Sequence, residues 1–178
     1  MASLFNMGNA VASKLIQKLF PLESTYDDPW KKRLFDRMIE EEGYRLLPFT
    51  DRFSSAKGEL QGVGHLNTRD RPMGLLAWPG EASSQLQSDI DEKINKIEGM
   101  FPERYSDMDE GMREALIDMA FRGDIKSNNE FVKLLKEGKR DAAADEYLNH
   151  AGYRRSKKAG TGIYKRMERN AALLRKRK

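Results

Sequence analysis

Between Ile39 and Thr68 the chain changes character twice within thirty residues. A helical segment ends in Glu40, Glu41 and Glu42 and is stopped by Gly43, the residue type that most easily takes the positive φ following a helix end. Nine residues beyond Glu42 stands a second carboxylate, Asp51. A turn-rich run, Ser54-Ser55-Ala56-Lys57-Gly58, then leads into a strand, Leu60 to Leu66, that carries Gly62 and Gly64. Glycines weaken a strand unless something must approach its backbone closely. Two acids beside a strand stripped of side chains therefore form a site with room for a bulky chain. Tight packing or a bend would use the same glycines, and at this point both readings stand.

The rest of the chain reads as scaffold. Its 178 residues suit one domain with a small appendage: residues 1–26 as a helical extension and connector, and 27–178 as the main domain with a basic tail. With 39% hydrophobic residues the chain has enough apolar content for a core. The absence of cysteine excludes disulfides, thiol catalysis and cysteine-based zinc sites. Two histidines far apart in sequence, His65 and His150, make a zinc site unexpected. Neither metal nor cofactor is expected.

Val11, Leu15, Ile16 and Leu19 recur at helical spacing with Lys14 and Lys18 between them. This segment reads as an amphipathic helix packed on the domain or on a partner, with a membrane surface as a lesser alternative. It lacks the features of a secretory signal, and no run approaches the ~20 apolar residues of a membrane span. Asp28-Pro29 predicts a helix start, with Asp28 accepting from the first amides. Leu34, Phe35, Met38 and Ile39 form the stripe of that helix. Further helices are predicted over 83–98, 109–121, 131–137, 141–148 and 162–174, with Leu86, Ile90, Ile94 and Ile97 as the stripe of the first. The segment 71–80, including Trp78, reads as a loop that lines a cleft or caps the core. The architecture expected is α+β, a small antiparallel hairpin sheet packed against a mostly helical lobe, with a cleft between them. From Arg154 to Lys178 basic residues greatly outnumber acids. That run is either a solvated face with a frayed tail or a foothold on an anionic polymer.

Glu42-Gly43-Tyr44-Arg45, then Asp51, then Gly62-Val63-Gly64-His65-Leu66 resembles the phage-type lysozymes, the glycoside hydrolase family of the T-even phage enzyme. Ser88-Asp89-Ile90-Asp91, the helix around Arg113–Phe121, Phe131-Val132-Lys133-Leu134-Leu135, Asp141-Ala142-Ala143-Ala144 and Tyr164–Arg169 follow in the family's order. The resemblance covers about Trp30 to Leu174 and implies a lysozyme-like fold and cleavage of the peptidoglycan glycan between N-acetylmuramic acid and N-acetylglucosamine. It assigns Glu42 as general acid and Asp51 as the ionised carboxylate that supports the cationic transition state and a water. The residue chemistry agrees. Glycoside cleavage needs one protonated and one ionised carboxyl. The negative end of a helix dipole favours the neutral form of an acid placed there, as Glu42 is.

One position departs from the family. Where a threonine usually helps to place the attacking water, this chain has Leu60, and the preceding turn is longer. Either a neighbour substitutes (Glu59, Ser54, Ser55 or Thr68), or the water is poorly activated, or the sugar closes on its own hydroxyl as in lytic transglycosylases. That last outcome needs Glu42 alone. Asp70 is a weaker second carboxylate. The resemblance further implies that His65 is structural and pairs with Asp89, and that Leu66, Phe121 and Arg122 contact sugar.

A muramidase is the first reading, a lytic transglycosylase the second. A non-catalytic virion or envelope-binding module on the same fold is a third, motivated by the first helix and the basic tail. Peptidoglycan is the expected partner, with other virion proteins engaged through residues 1–26. No specific nucleic acid and a monomeric state are expected. A phage setting is implied: host cytoplasm until a separate pore protein releases the enzyme to the periplasm, or carriage in the virion.

Overall fold

The structure, a computed structural model, describes residues 2–49, 60–66, 76–126 and 129–176. The chain divides into two compact units, Met1–Asp91 and Glu92–Lys178, with the division falling inside a long helix.

The first unit contains α1 (Ala2–Leu19), α2 (Pro29–Glu42) and strands β1 (Arg45–Phe49), β2 (Leu60–Gly62) and β3 (His65–Leu66), and ends in the first half of α3 (Pro79–Met100). Helix α2 forms where expected. Pro29 occupies its first turn, and Trp30, Leu34, Phe35 and Met38 are buried at helical spacing. Asp28 precedes the helix with extended backbone but makes no side-chain cap; its carboxylate lies 3.7 Å from Lys31 Nζ instead. The three strands pair antiparallel in the order β1-β2-β3. Arg45 faces Gly62 and Phe49 faces Leu60, and Leu60 in turn faces Leu66.

The expected single strand from Leu60 to Leu66 is in fact two. The chain reverses through Gly62, Val63 and Gly64, with φ of 60° at Gly62 and 70° at Gly64. The glycines supply positive φ to a turn, which L-residues resist, and do not alternate on the face of an extended strand. The turn expected at Ser54–Gly58 lies outside the described residues.

Strand β1 is an edge strand, and its free side is occupied. Leu46 N–H donates to Ser13 Oγ of α1 (2.9 Å), and Leu46 C=O accepts from Ala77 N–H (2.8 Å) and Gln61 Nε2 (3.1 Å). Covering an edge in this way removes a template for pairing with another chain. The connector after α1 lies along α3. Glu23 N–H donates to Ser83 Oγ (3.1 Å), Thr25 N–H to Gln87 Oε1 (2.8 Å), and the Tyr26 hydroxyl to Gln87 C=O and Asp91 (both 3.0 Å). The loop before α3 ends sooner than expected, because Pro79 already belongs to the helix; Trp78 is half exposed.

The second unit continues α3 and adds α4 (Glu110–Phe121), α5 (Glu130–Lys136), α6 (Arg140–Leu148), α7 (Ala151–Ala159) and α8 (Gly162–Arg175). Leu86, Ile90, Ile94 and Ile97 of α3 are all buried, as their spacing predicts. Asp109 caps α4, accepting from Met112 N–H (2.9 Å), and Asn129 caps α5 by accepting from Val132 N–H (3.1 Å). Helix α8 packs on α4, α6 and α7, and α5 packs on α6. Among the residues of α4, Met112 and the run Glu114 to Ala120 are all buried, which makes it the central helix of this unit.

Asp118 of α4 is fully buried and answered from α8. It accepts from Arg166 (Nη2 at 2.6 Å), Arg169 (3.1 Å) and Asn170. Helix α7 is not among the expected helices, because it is short and mostly polar. Polar groups hold it: the His150 ring accepts from Gly152 N–H (3.1 Å), and buried Ser156 accepts from Tyr164 N–H (2.8 Å).

Candidate active site

The cluster of interest lies within the first unit. Helix α2 delivers Glu42 as its last residue, and Gly43 closes the helix with φ of 70°, its N–H donating to Ile39 C=O (3.0 Å). Because Leu34, Phe35 and Met38 are wholly buried on the same helix, the position of Glu42 is fixed by a packed element. The side chain of Glu42 is only part-exposed and lies over the β2–β3 turn. A methyl added to Gly64 would sit 3.5 Å from both Cβ and Oε2 of Glu42. The bare backbone at Gly64 thus lets the turn lie directly against the carboxylate at the end of the helix.

Behind the turn, His65 is buried, and its Nδ1 lies 2.9 Å from Oδ2 of Asp89 on α3. Gln85 Nε2 donates to the other oxygen of Asp89 at 3.1 Å. This pairing ties the hairpin to α3 and sets the direction of the turn that faces Glu42. On the other side, Gln61 is fully buried and bonds Leu46 C=O, while the Tyr44 hydroxyl donates to Ala77 C=O. Burial, with Glu81 nearby, pushes the Tyr44 hydroxyl up to about 12, so it remains a donor across the physiological range.

Leu60 is half-buried at the start of β2, and its side chain can offer no hydrogen bond to a water. Leu66 lies in β3, its backbone opposite Leu60. Asp51, Ser54, Ser55, Glu59, Thr68 and Asp70 lie outside the described residues. Phe121 and Arg122 belong to the second unit. Phe121 ends α4 half-buried, and Arg122 follows as its cap residue, with Nε 3.0 Å from Asp124 Oδ2. Asp124 also accepts from the Tyr147 hydroxyl (3.0 Å), so the guanidinium is held in place by its own unit.

The structure therefore brings together Glu42, Gly64, His65 and Asp89. It adds Gln61 and Ser13, which no motif in the sequence contains. Their only local signal is a polar residue beside apolar ones in a short strand or helix, which solvent-facing residues also give. Among the described residues no group of His, Asp and Glu side chains could hold a metal ion. The chemistry open to this cluster is proton donation from a carboxyl fixed at a helix end to a ligand lying beside the glycine of the turn at Gly64.

No protein-family model and no curated sequence matches the chain. Solved structures do. One is a crystal structure of a point mutant of P22 lysozyme, 23% identical, with a TM-score of 0.53. The match covers 80% of this chain and 94% of that one. The protein thus has an α+β, phage-lysozyme-like fold, with a small antiparallel sheet and mostly helical remainder.

Proposed function

We propose that the chain is a muramidase that cleaves peptidoglycan between N-acetylmuramic acid and N-acetylglucosamine. The observation that carries this reading is the placement of Glu42 at the end of α2 against the Cβ-less turn at Gly64. Glu42 is the general acid, protonating the glycosidic oxygen as the bond breaks and the sugar gains oxocarbenium character. Asp51 is the ionised partner that stabilises this charge and directs a water to the opposite face, giving inversion. Leu66, Phe121 and Arg122 are sugar contacts. The likeness to P22 lysozyme supports this assignment through the fold. The setting that fits is a phage enzyme, acting either at lysis after release by a pore protein or from the particle during entry.

Glu42→Gln keeps the shape and hydrogen-bonding capacity of the side chain but removes the proton. It lowers turnover of purified peptidoglycan by roughly 10²–10⁴ without changing the unfolding midpoint. Retained activity would sink the proposal. Leu60 favours a second reading, since leucine replaces the family's water-orienting threonine. In a lytic transglycosylase, Glu42 alone serves as acid and base, and the sugar's own hydroxyl attacks. Mass spectrometry of the products separates the two, with reducing ends for hydrolysis and anhydro ends for internal closure. Lack of any cleavage, with salt-sensitive binding to envelope polymer, would point to a non-catalytic module.

A further inference from the structure

Helix α1 is attached to its unit by one face, and among its described side chains those on the opposite face are exposed. Ser13, 2% exposed, bonds the Leu46 amide of β1, and Ile16 and Gln17 beside it are half-buried. Val11 is 68% exposed, Leu15 58% and Leu19 62%, with Phe20 just past the helix end at 56%. Lys14 and Lys18 are exposed as well. At 100° per residue, Val11, Lys14, Leu15, Lys18 and Leu19 share an arc of about 140°, and Ser13 lies across the helix from its centre. The apolar residues form a line about 12 Å long, with the two lysines along one border.

Charge decides what covers this line. From Ala2 to Leu19 the helix has lysines and no acidic residue. A second copy would bring the same lysines against these, and an apolar protein groove would leave them without counter-charge. A bilayer with anionic headgroups meets both requirements: leucine and valine enter the acyl boundary, and the lysine stems extend to the headgroups. No helix among the described residues is long and apolar enough to cross a membrane, so a helix lying in the surface plane is the geometry available to α1. We propose that α1 docks the protein, through Val11, Leu15 and Leu19 flanked by Lys14 and Lys18, on an anionic lipid surface.

The test is flotation of the full chain with phosphatidylcholine vesicles, with and without phosphatidylglycerol. Wild type floats with the phosphatidylglycerol vesicles only. The variant V11S/L15S/L19S loses flotation. The variant K14Q/K18Q binds about thirtyfold more weakly, each lysine near such a surface contributing roughly fivefold. Both variants alter exposed side chains only, and unchanged far-ultraviolet circular dichroism and urea midpoints confirm that they fold.

Three results overturn the proposal. One is flotation that V11S/L15S/L19S retains, which assigns it to other basic segments. Another is equal binding to neutral vesicles. The third is concentration-dependent dimerisation in solution that V11S/L15S/L19S abolishes, without flotation, which assigns the face to a second copy. None of these readouts involves glycan cleavage, so they stand apart from the fate of the muramidase reading.

Discussion

At Gly64 two requirements meet in one residue. Its φ of 70° places it where an L-side chain is strained, and the Glu42 carboxyl occupies the space beside it. Gly64→Ala lowers stability by about 1 kcal/mol through the backbone alone, since the new methyl would stand at ordinary contact distance from Glu42. Gly64→Leu also displaces the carboxyl, and turnover falls with it. Thermal melts paired with peptidoglycan clearing separate the two effects; full activity in Gly64→Leu would show that Glu42 needs no free space there. The His65–Asp89 contact is a different kind of constraint. Both side chains are buried, and removing one leaves its partner without that contact in a low-dielectric site. Asp89→Ala is expected to cost about 3 kcal/mol in urea unfolding. Asp91→Ala, which removes a partner of Tyr26 at an exposed site, is expected to cost under about 1 kcal/mol. Equal losses would show that the hairpin is not held through His65.

Among the elements, α1 and β1 depend on one another more than their sequences suggest. The Ser13 hydroxyl gives the Leu46 amide a partner on the open side of the sheet, and that bond is buried. Ser13→Ala removes the acceptor and should cost about 1–2 kcal/mol, whereas Ser13→Thr retains it. Amide exchange at Leu46, read by mass spectrometry or NMR, should accelerate in Ser13→Ala and not in Ser13→Thr. Unchanged exchange in Ser13→Ala would mean that the amide is protected from elsewhere. The β2–β3 turn and α7 carry a second lesson. A glycine-spaced apolar run looks the same whether it is one extended strand or a tight hairpin, because each form uses small residues in a short span. Helix α7 has few apolar residues to read. Its stability comes from His150, Ser156 and contact with α8, which only the folded chain assembles.

For the whole molecule, acid stability is where the buried charge of the second unit becomes measurable. Burial raises the Asp118 carboxyl, but the hydrogen bond and charge of Arg166, with Asn170 and Arg169, outweigh it and hold the group below the ordinary aspartate range. A carboxyl depressed on folding contributes stability that is fully present above its unfolded value. That contribution is lost as pH falls through the folded one. Stability should therefore fall as pH drops below about 4, and Asp118→Asn should flatten that limb while lowering stability at neutral pH. Urea midpoints measured from neutral pH downward check this; an unaltered acid limb in the variant would place the acid sensitivity on other carboxylates.

The sequence by itself determined what depends on neighbours a few residues apart: the stripes of α2 and α3, the stop at Gly43, and the helix-end location of Glu42. Tertiary structure decided the rest. Ser13 reaches Leu46 and Asp118 reaches Arg166 across separations of 33 and 48 residues. A hydrogen bond of that span depends on where two packed elements place a donor and an acceptor, and it leaves no periodicity along the chain. Buried polar groups must be paired, but only the folded backbone selects which partner each one finds.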